Sequence, residues 1–307
     1  SGFRPDYAAT VYSKIIKQLY PETPVILGGI EASMRRLTHY DYWSDSLKPS
    51  VLADSGADIL VYGMGEKAIV EVAKQIENNI DFRNSRIPQT AVIAHEKPGS
   101  EYITLPSHED CLKSKTQFGK HFVLVEENSN RLKAKGLTEP YKDKFIVVHP
   151  PYAPSSTEEL DRIYALPFTR LPHPRYNKKP PIPAYEMIRH SVTIHRGCFG
   201  GCSFCTISMQ QGRYIQSRSE NSIMQEIEQI KQMHDFSGYI SDIGGPSANM
   251  YCMSPLDTKR CEKCRRPSCI YPSLCDNVNA SHKPLIDLYD KIEKSDGIKA
   301  AFVTSGI

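Results

Sequence analysis

The chain has 307 residues, 40% apolar and 24% charged, and its 38 basic and 35 acidic side chains leave a net charge of +3. That length suggests about two domains and a core that needs no disulfide staples. No apolar run approaches the ~18 residues of a membrane helix, which excludes a membrane-spanning class, and so small a positive excess is not that of a dedicated nucleic-acid binder. The first residues lack the charged-then-apolar order of a secretory leader, so a soluble, cytoplasmic protein is expected.

Residues 6–20 show helical spacing, with Ala9, Tyr12, Ile16 and Leu19 on one face, and Pro21 ends the pattern. Pro24-Val25-Ile26-Leu27-Gly28-Gly29 reads as a short buried strand closed by a glycine turn, and Ile59-Leu60-Val61-Tyr62-Gly63 repeats the form. Met64-Gly65-Glu66 then leads into a helix with Ile69, Val72, Ala73 and Ile76 on one face. Strand, crossover and strand predict a parallel sheet. Gly28-Gly29 and Gly63-Met64-Gly65 would fall at its carboxyl ends, where such sheets take ligands; tight turns that let helices pack account for them as well. No Gly-x-Gly-x-x-Gly follows the first strand, so no dinucleotide site is predicted.

Residues 97–187 contain two short strand candidates, Phe122-Val123-Leu124-Val125 and Phe145-Ile146-Val147-Val148, and much of the chain's complement of 22 prolines. Proline blocks helix and central strand, which predicts an ordered, extended connector over this span.

The chemistry gathers in the last third. Eight of the nine cysteines lie between Cys198 and Cys275. So local a cluster in a long chain reads as metal binding rather than a disulfide framework. Ser191-Val192-Thr193-Ile194 alternates like a strand, and Arg196-Gly197-Cys198-Phe199-Gly200-Gly201-Cys202-Ser203-Phe204-Cys205 follows it. Three thiolates on one short loop can hold three irons of a 4Fe-4S cube and leave the fourth iron open. Gly197, Gly200 and Gly201 would let the backbone approach the cluster. A zinc knuckle or structural thiol cluster is the alternative, although zinc usually takes four ligands in paired units. Downstream, Ser219 caps a predicted helix with Ile223, Ile227, Ile230 and His234 on one face. A strand at residues 238–243 ends in Gly244-Gly245-Pro246, a helix spans 282–296, and a strand at 298–303 ends in Thr304-Ser305-Gly306. This is the opening of a parallel (β/α) barrel with its functional loops at the carboxyl end.

A second set, Cys252, Cys261, Cys264, Cys269 and Cys275, lies in an insertion at residues 247–281. It could supply four ligands to a structural zinc or an auxiliary iron–sulfur cluster; spare reduced thiols are the alternative. Its neighbours Lys259, Arg260, Lys263, Arg265 and Arg266 admit RNA as a partner, but a solvated loop explains them on so small a net charge.

Cys198, Cys202, Phe204 and Cys205 match the Cys-x3-Cys-x-aromatic-Cys pattern, and the sequence resembles the radical SAM superfamily. The resemblance implies that the three cysteines bind 4Fe-4S, that the open iron chelates S-adenosylmethionine, and that Phe204 lies near the adenine. Reductive cleavage would then give a 5′-deoxyadenosyl radical, with the electron from an external one-electron donor and a substrate the sequence does not name. Gly244-Gly245-Pro246 stands where that superfamily has Gly-Gly-Glu, which implies contact with the methionyl group through backbone carbonyls. Ser305 is a further candidate for cofactor contact.

Leu166-Pro167-Phe168-Thr169-Arg170, the stretch from His195 to Cys202, Gln211-Gly212-Arg213 and Asp242-Ile243-Gly244-Gly245-Pro246 are similar to motifs of the YgiQ-type radical SAM proteins. That likeness implies an α/β architecture in three parts: the C-terminal half of a Rossmann-like, cobalamin-binding-like domain at residues 1–96, the connector at 97–187, and a truncated radical SAM core at 188–307. It implies a piece of a larger protein, because only about three of the six strands of a partial barrel fit. It also favours Cys252, Cys264, Cys269 and Cys275 as the second ligand set. The Asp-x-His-x-x-Gly motif of cobalamin binders is absent here and would lie upstream, so its absence does not decide the matter; cobalamin is not expected. Two other readings stay open at this point: an iron–sulfur electron carrier without catalysis, and a zinc or iron–sulfur nucleic-acid-binding module.

Overall fold

The computed structural model describes residues 5–246 and 248–303. The chain divides into two compact units, Ser1–Ala153 with Glu262–Pro267, and Pro154–Cys261 with Ser268–Ile307.

The first unit runs α1 (Ala8–Leu19), β1 (Ile26–Leu27), α2 (Gly29–Met34), β2 (His39–Asp41), β3 (Ser46–Lys48), α3 (Val51–Ser55), β4 (Ile59–Val61), α4 (Glu66–Glu77), β5 (Thr90–Ala94), β6 (Ile103–Thr104), α5 (His108–Lys113), α6 (Lys115–Ser129), β7 (Leu137–Tyr141) and β8 (Lys144–Val148). Six of these strands form one sheet in the order β1-β4-β5-β8-β7-β6. The predicted βαβ unit is present, since β1 and β4 pair in parallel. The sheet as a whole is mixed, because β5 and β8 run antiparallel to their neighbours. For one of these pairs the cause is local: Lys142 and Asp143 join β7 to β8 as a two-residue turn with Lys142 at φ 54°, a link that only antiparallel strands accept. Alternate residues feed two cores, with Leu60, Ala91, Ile146 and Val148 on one face and Ile59, Val61, Val92 and Val147 on the other.

Three expectations are corrected here. The connector does not begin at residue 97, since β6 to β8 complete the sheet; only from Pro150 do prolines dominate, and there regular structure thins to short helices. Phe122 to Val125 is helical, not a strand. Ser114 caps α6 by accepting from the Gln117 N–H at 3.4 Å, and four apolar residues cannot by themselves distinguish the two periods. Finally, α1 buries Thr10 and Ser13 and leaves Tyr12, Ile16 and Leu19 exposed, while α4 buries Ala68 and Val72 rather than Ile69 and Ile76.

The second unit runs α7 (Thr157–Tyr164), α8 (Pro183–Ile188), β9 (Ser191–Thr193), β10 (His195–Arg196), α9 (Ile207–Gln211), β11 (Gln216–Ser217), α10 (Glu220–Lys231), β12 (Tyr239–Ile240), β13 (Asp242–Gly244), β14 (Ser254–Pro255), α11 (Thr258–Glu262), β15 (Val278–Asn279), α12 (Lys283–Glu293) and β16 (Ala300–Ala301). β9 pairs in parallel with β13, and β12 with β16. Backbone bonds from Ile243 to the Phe302 carbonyl and from Ser241 to that of His190 make the strands a continuous parallel set. Their inner face packs Val192, Ile194, Ile240 and Ile243 against Ile223, Ile227 and Ile230 of α10 and Leu285, Leu288 and Ile292 of α12. The helical spacing places Ile223, Ile227 and Ile230 correctly; His234 instead projects into solvent. Ser219 caps α10 as predicted, accepting from the Ser222 N–H at 3.1 Å. Arg218 is buried here, stacked 4.2 Å from the Tyr164 ring centroid and bonded to Glu226 and the Thr193 carbonyl. It braces α7 and β9 against α10.

Among the described residues no helix is long and apolar enough to cross a membrane.

Candidate functional site

The cysteine loop leaves β10 and returns through α9 to β11, which pairs antiparallel with β10. Two bonds close its neck: the Cys198 N–H donates to the Gly212 carbonyl at 3.1 Å, and the Gly197 N–H to Oε1 of Gln211 at 3.1 Å. Gly197 sits at φ 89°, and a β-carbon there would lie 2.4 Å from the Tyr214 carbonyl oxygen. Only glycine fits that approach. Gln211-Gly212-Arg213, noted in the sequence without a role, is therefore the strap across the loop's neck.

Cys198 is buried, Cys205 half-buried and Cys202 exposed, and none of the three forms a disulfide. Gly200 lies between two of them. A β-carbon there would be 3.3 Å from Cys198 Sγ and 3.7 Å from Cys202 Sγ, and its N–H donates to Cys198 Sγ at 3.4 Å. The Cys205 N–H closes a turn onto the Cys202 carbonyl at 3.0 Å. Three thiols outside any disulfide, a glycine that keeps the space between two of them clear, and a backbone N–H on sulfur fit the donor set of an iron–sulfur cluster. Among the described residues no three His, Cys, Asp or Glu side chains converge to ligating distance of one point. Phe204 stands 88% exposed on this loop, an apolar ring with no packing role of its own.

Gly244 pairs with Thr193 in the parallel β13–β9 ladder, so Gly244-Gly245-Pro246 emerges at the same end of the sheet as the cysteine loop. Gly245 is pressed against His195: a β-carbon would sit 1.9 Å from Nε2. That nitrogen accepts the Met250 N–H at 3.0 Å, while Nδ1 is buried without a partner. Burial holds the imidazole down to about 4, so it is neutral. His195 is thus a packed spacer beneath the glycine turn. Ser305 lies outside the described residues.

The second cysteine set is dispersed over the insertion. Cys252 takes φ 58° and its N–H donates to Ser217 Oγ at 2.9 Å; Cys261 Sγ receives Asn277 Nδ2 at 3.4 Å. Cys269 and Cys275 are tied by a backbone bond of 2.7 Å. Cys264 belongs to the segment grouped with the first unit. Cys269 has a connection the spacing did not reveal. Its N–H donates to the Phe199 carbonyl at 3.0 Å, and its sulfur receives Nη2 of the buried Arg213 at 3.1 Å. It therefore stands beside the first loop.

A three-cysteine loop on a parallel α/β core, facing a glycine turn at the same sheet end, marks the chain as a member of the radical SAM class. Residues 1–191 match the family model described as "Radical SAM N-terminal", and the chain belongs to that family and so to the radical SAM superfamily. It is 50% identical over 319 residues to a UPF0313 protein of Bacteroides thetaiotaomicron, covering 99% of this chain and 51% of the relative. A UPF0313 protein of Porphyromonas gingivalis is 50% identical over 312 residues, covering 100% and 49%. These relatives agree with the likeness to YgiQ-type proteins read from the motifs. The chain spans about half the length of the curated relatives it matches. Among solved structures, the radical S-adenosylmethionine methyltransferase TsrM from Kitasatospora setae is similar at 16% identity and a TM-score of 0.37, over 76% of this chain and 32% of that one; likeness at this level defines neither fold nor function.

Proposed function

We propose that this chain carries the cofactor-binding part of a radical SAM enzyme, with Cys198, Cys202 and Cys205 as the ligands of one 4Fe-4S cluster. The observation that supports it is the register of β9 with β13, which brings the cysteine loop and Gly244-Gly245-Pro246 out of adjacent parallel strands at one end. When bound, such a cluster passes one electron to S-adenosylmethionine, whose reductive cleavage gives methionine and a 5′-deoxyadenosyl radical. The chain's own residues bind and orient. Gly197 and Gln211 hold the loop's neck, Gly200 donates to sulfur, and the backbone of Gly245 is left to meet the methionyl group, since the Gly244 carbonyl accepts the Ile194 N–H at 3.0 Å. Phe204 offers an aromatic face to the adenine, as a stack that also excludes water from the site. The substrate and the bond attacked belong to the longer protein.

Anaerobic reconstitution with iron and sulfide tests this reading. The expected result is a 4Fe-4S spectrum that changes on adding S-adenosylmethionine, and 5′-deoxyadenosine after dithionite; Cys202→Ala should lose both. A cluster insensitive to S-adenosylmethionine would instead mean an electron carrier. Zinc alone, with salt-sensitive RNA binding, would mean a nucleic-acid module.

A further inference from the structure

A cavity of about 270 Å³ lies within the first unit, walled by α1, α3 and the β2–β3 hairpin. It is remote in sequence from every cysteine in the chain. Its lining carries three permanent cations, Lys14, Arg35 and Lys48, against one carboxylate, Asp54. The cations are unequal. Lys14 stands 3.6 Å from Asp54, with both side chains half-exposed. Arg35 is fixed in place, with Nη1 on Glu31 at 3.0 Å, Nη2 3.6 Å from Asp41, and its guanidinium 5.7 Å from the Tyr7 ring centroid. Lys48 has no carboxylate partner among the described residues.

His39 faces Lys48 across the hairpin register. Its Nδ1 donates to the Leu37 carbonyl at 3.1 Å, and burial pushes its pKa below the ordinary value. The ring is therefore neutral, and its Nε2 is an acceptor. Val11, Pro49 and Val51 supply apolar wall. Lys14 and Arg35 are met by Asp54, Glu31 and Asp41, so the cavity offers one uncompensated cation, Lys48, beside the His39 acceptor and a hydrophobic side. Its volume falls just below the ~300–1,000 Å³ of sites for drug-sized ligands.

We propose that this cavity binds a small organic anion, a carboxylate or phosphate monoester with a short apolar body and a hydroxyl or N–H donor. The anionic group pairs with Lys48 and Arg35, the donor meets His39, and the body rests on Val11 and Val51. The site is independent of the iron–sulfur reading.

The chain's single tryptophan, Trp43, lies in the turn of the same hairpin and gives a fluorescence readout beside calorimetry. The probes are 4-hydroxybenzoate, phenyl phosphate, inorganic phosphate and the neutral 4-hydroxybenzamide, titrated into the full chain. One or both organic anions should bind at millimolar concentration or better, and the preferred one separates carboxylate from phosphate. Added salt should weaken binding. Lys48→Gln should weaken it by about tenfold or more, the loss of one charge-assisted bond, and Lys14→Gln by less. Circular dichroism of both variants checks that the fold is intact. The proposal is overturned if 4-hydroxybenzamide binds as tightly as the anions, if folded Lys48→Gln binds like the parent chain, if inorganic phosphate matches phenyl phosphate, or if no anion binds.

Discussion

Gly197 and Gly212 face each other across the neck of the cysteine loop, and replacing each with alanine separates two costs. Both have positive φ, 89° and 86°, so each alanine pays a conformational penalty of about 1–3 kcal/mol. Each also gains about 0.4–1 kcal/mol from a stiffer unfolded chain, a term that cancels in the comparison. The surroundings differ. A β-carbon at Gly212 meets nothing within 4 Å, whereas one at Gly197 meets the Tyr214 carbonyl oxygen at 2.4 Å and the Gly212 oxygen at 3.3 Å. Those are backbone atoms of the strap, and they cannot rotate away as a side chain could. Relief must come from opening the neck, which breaks the 3.1 Å bond from Cys198 to Gly212. Overpacking of this kind costs about 1–3 kcal/mol, and the lost bond adds roughly 1 kcal/mol.

Gly197→Ala should therefore destabilise the second unit by about 2–4 kcal/mol more than Gly212→Ala. Trp43 lies in the first unit and does not report on this, so the measurement is hydrogen exchange at the amides of β9, β13 and α10. Iron content after reconstitution should fall in the same order. Equal protection in the two variants would refute the claim that backbone crowding, rather than φ alone, demands glycine at position 197.

Three further outcomes are expected. Cys269→Ala should leave the iron content and S-adenosylmethionine response of the first cluster intact, whereas Cys202→Ala should abolish both; loss of the cluster in Cys269→Ala would show that the thiol held beside the loop by Arg213 and Phe199 is a fourth ligand. Phe204, at 88% exposure, should be replaceable by alanine with a stability change within about 0.5 kcal/mol while S-adenosylmethionine affinity drops, and an unchanged affinity would remove its proposed stacking role. His195 binds its proton at about 4 in the folded chain against 6.5 unfolded, so the unfolded state takes up protons first as pH falls. Its stabilising contribution is complete above pH 6.5 and is lost on descent toward pH 4, by about 3 kcal/mol at most. Exchange protection of β9 and β13 across that range should show the slope in the parent chain and a shallower one in His195→Asn.

What the sequence made legible follows from how many partners each element needs. Ile223, Ile227 and Ile230 declare α10 because a helix under a parallel sheet must bury one stripe, and the stripe is written in its own spacing. The cysteine loop is legible for the same reason: its chemistry is carried by residues at fixed short intervals. The first unit is less so. Phe122 and Val123 look like strand yet lie exposed on α6, while the face of α6 that matters presents His121, whose Nε2 sits 2.6 Å from the fully buried Glu139 of β7. Glu139 also accepts from Thr38 at 3.0 Å, a residue about a hundred positions away. A carboxylate buried in a strand with partners on two distant segments leaves no periodic trace, so composition assigns it to the surface.

The same distinction explains why the connector is expected too early and why spacing alone does not show the contact of Cys269 with the first loop. Proline density marks where backbone donors are missing, and that signal starts at Pro150; before it, β6 to β8 are short strands whose pairing is decided by a turn and by the far side of the sheet. Cysteine spacing counts residues along the chain, but Cys269 reaches the first loop through a backbone bond to Phe199, seventy residues back. Position 269 thus touches the strap residue Arg213 and the loop it closes. That contact makes Cys269→Ala the informative partner to Cys202→Ala: on the proposed assignment the first removes a neighbour of the loop and the second a ligand, and only the second should remove the iron.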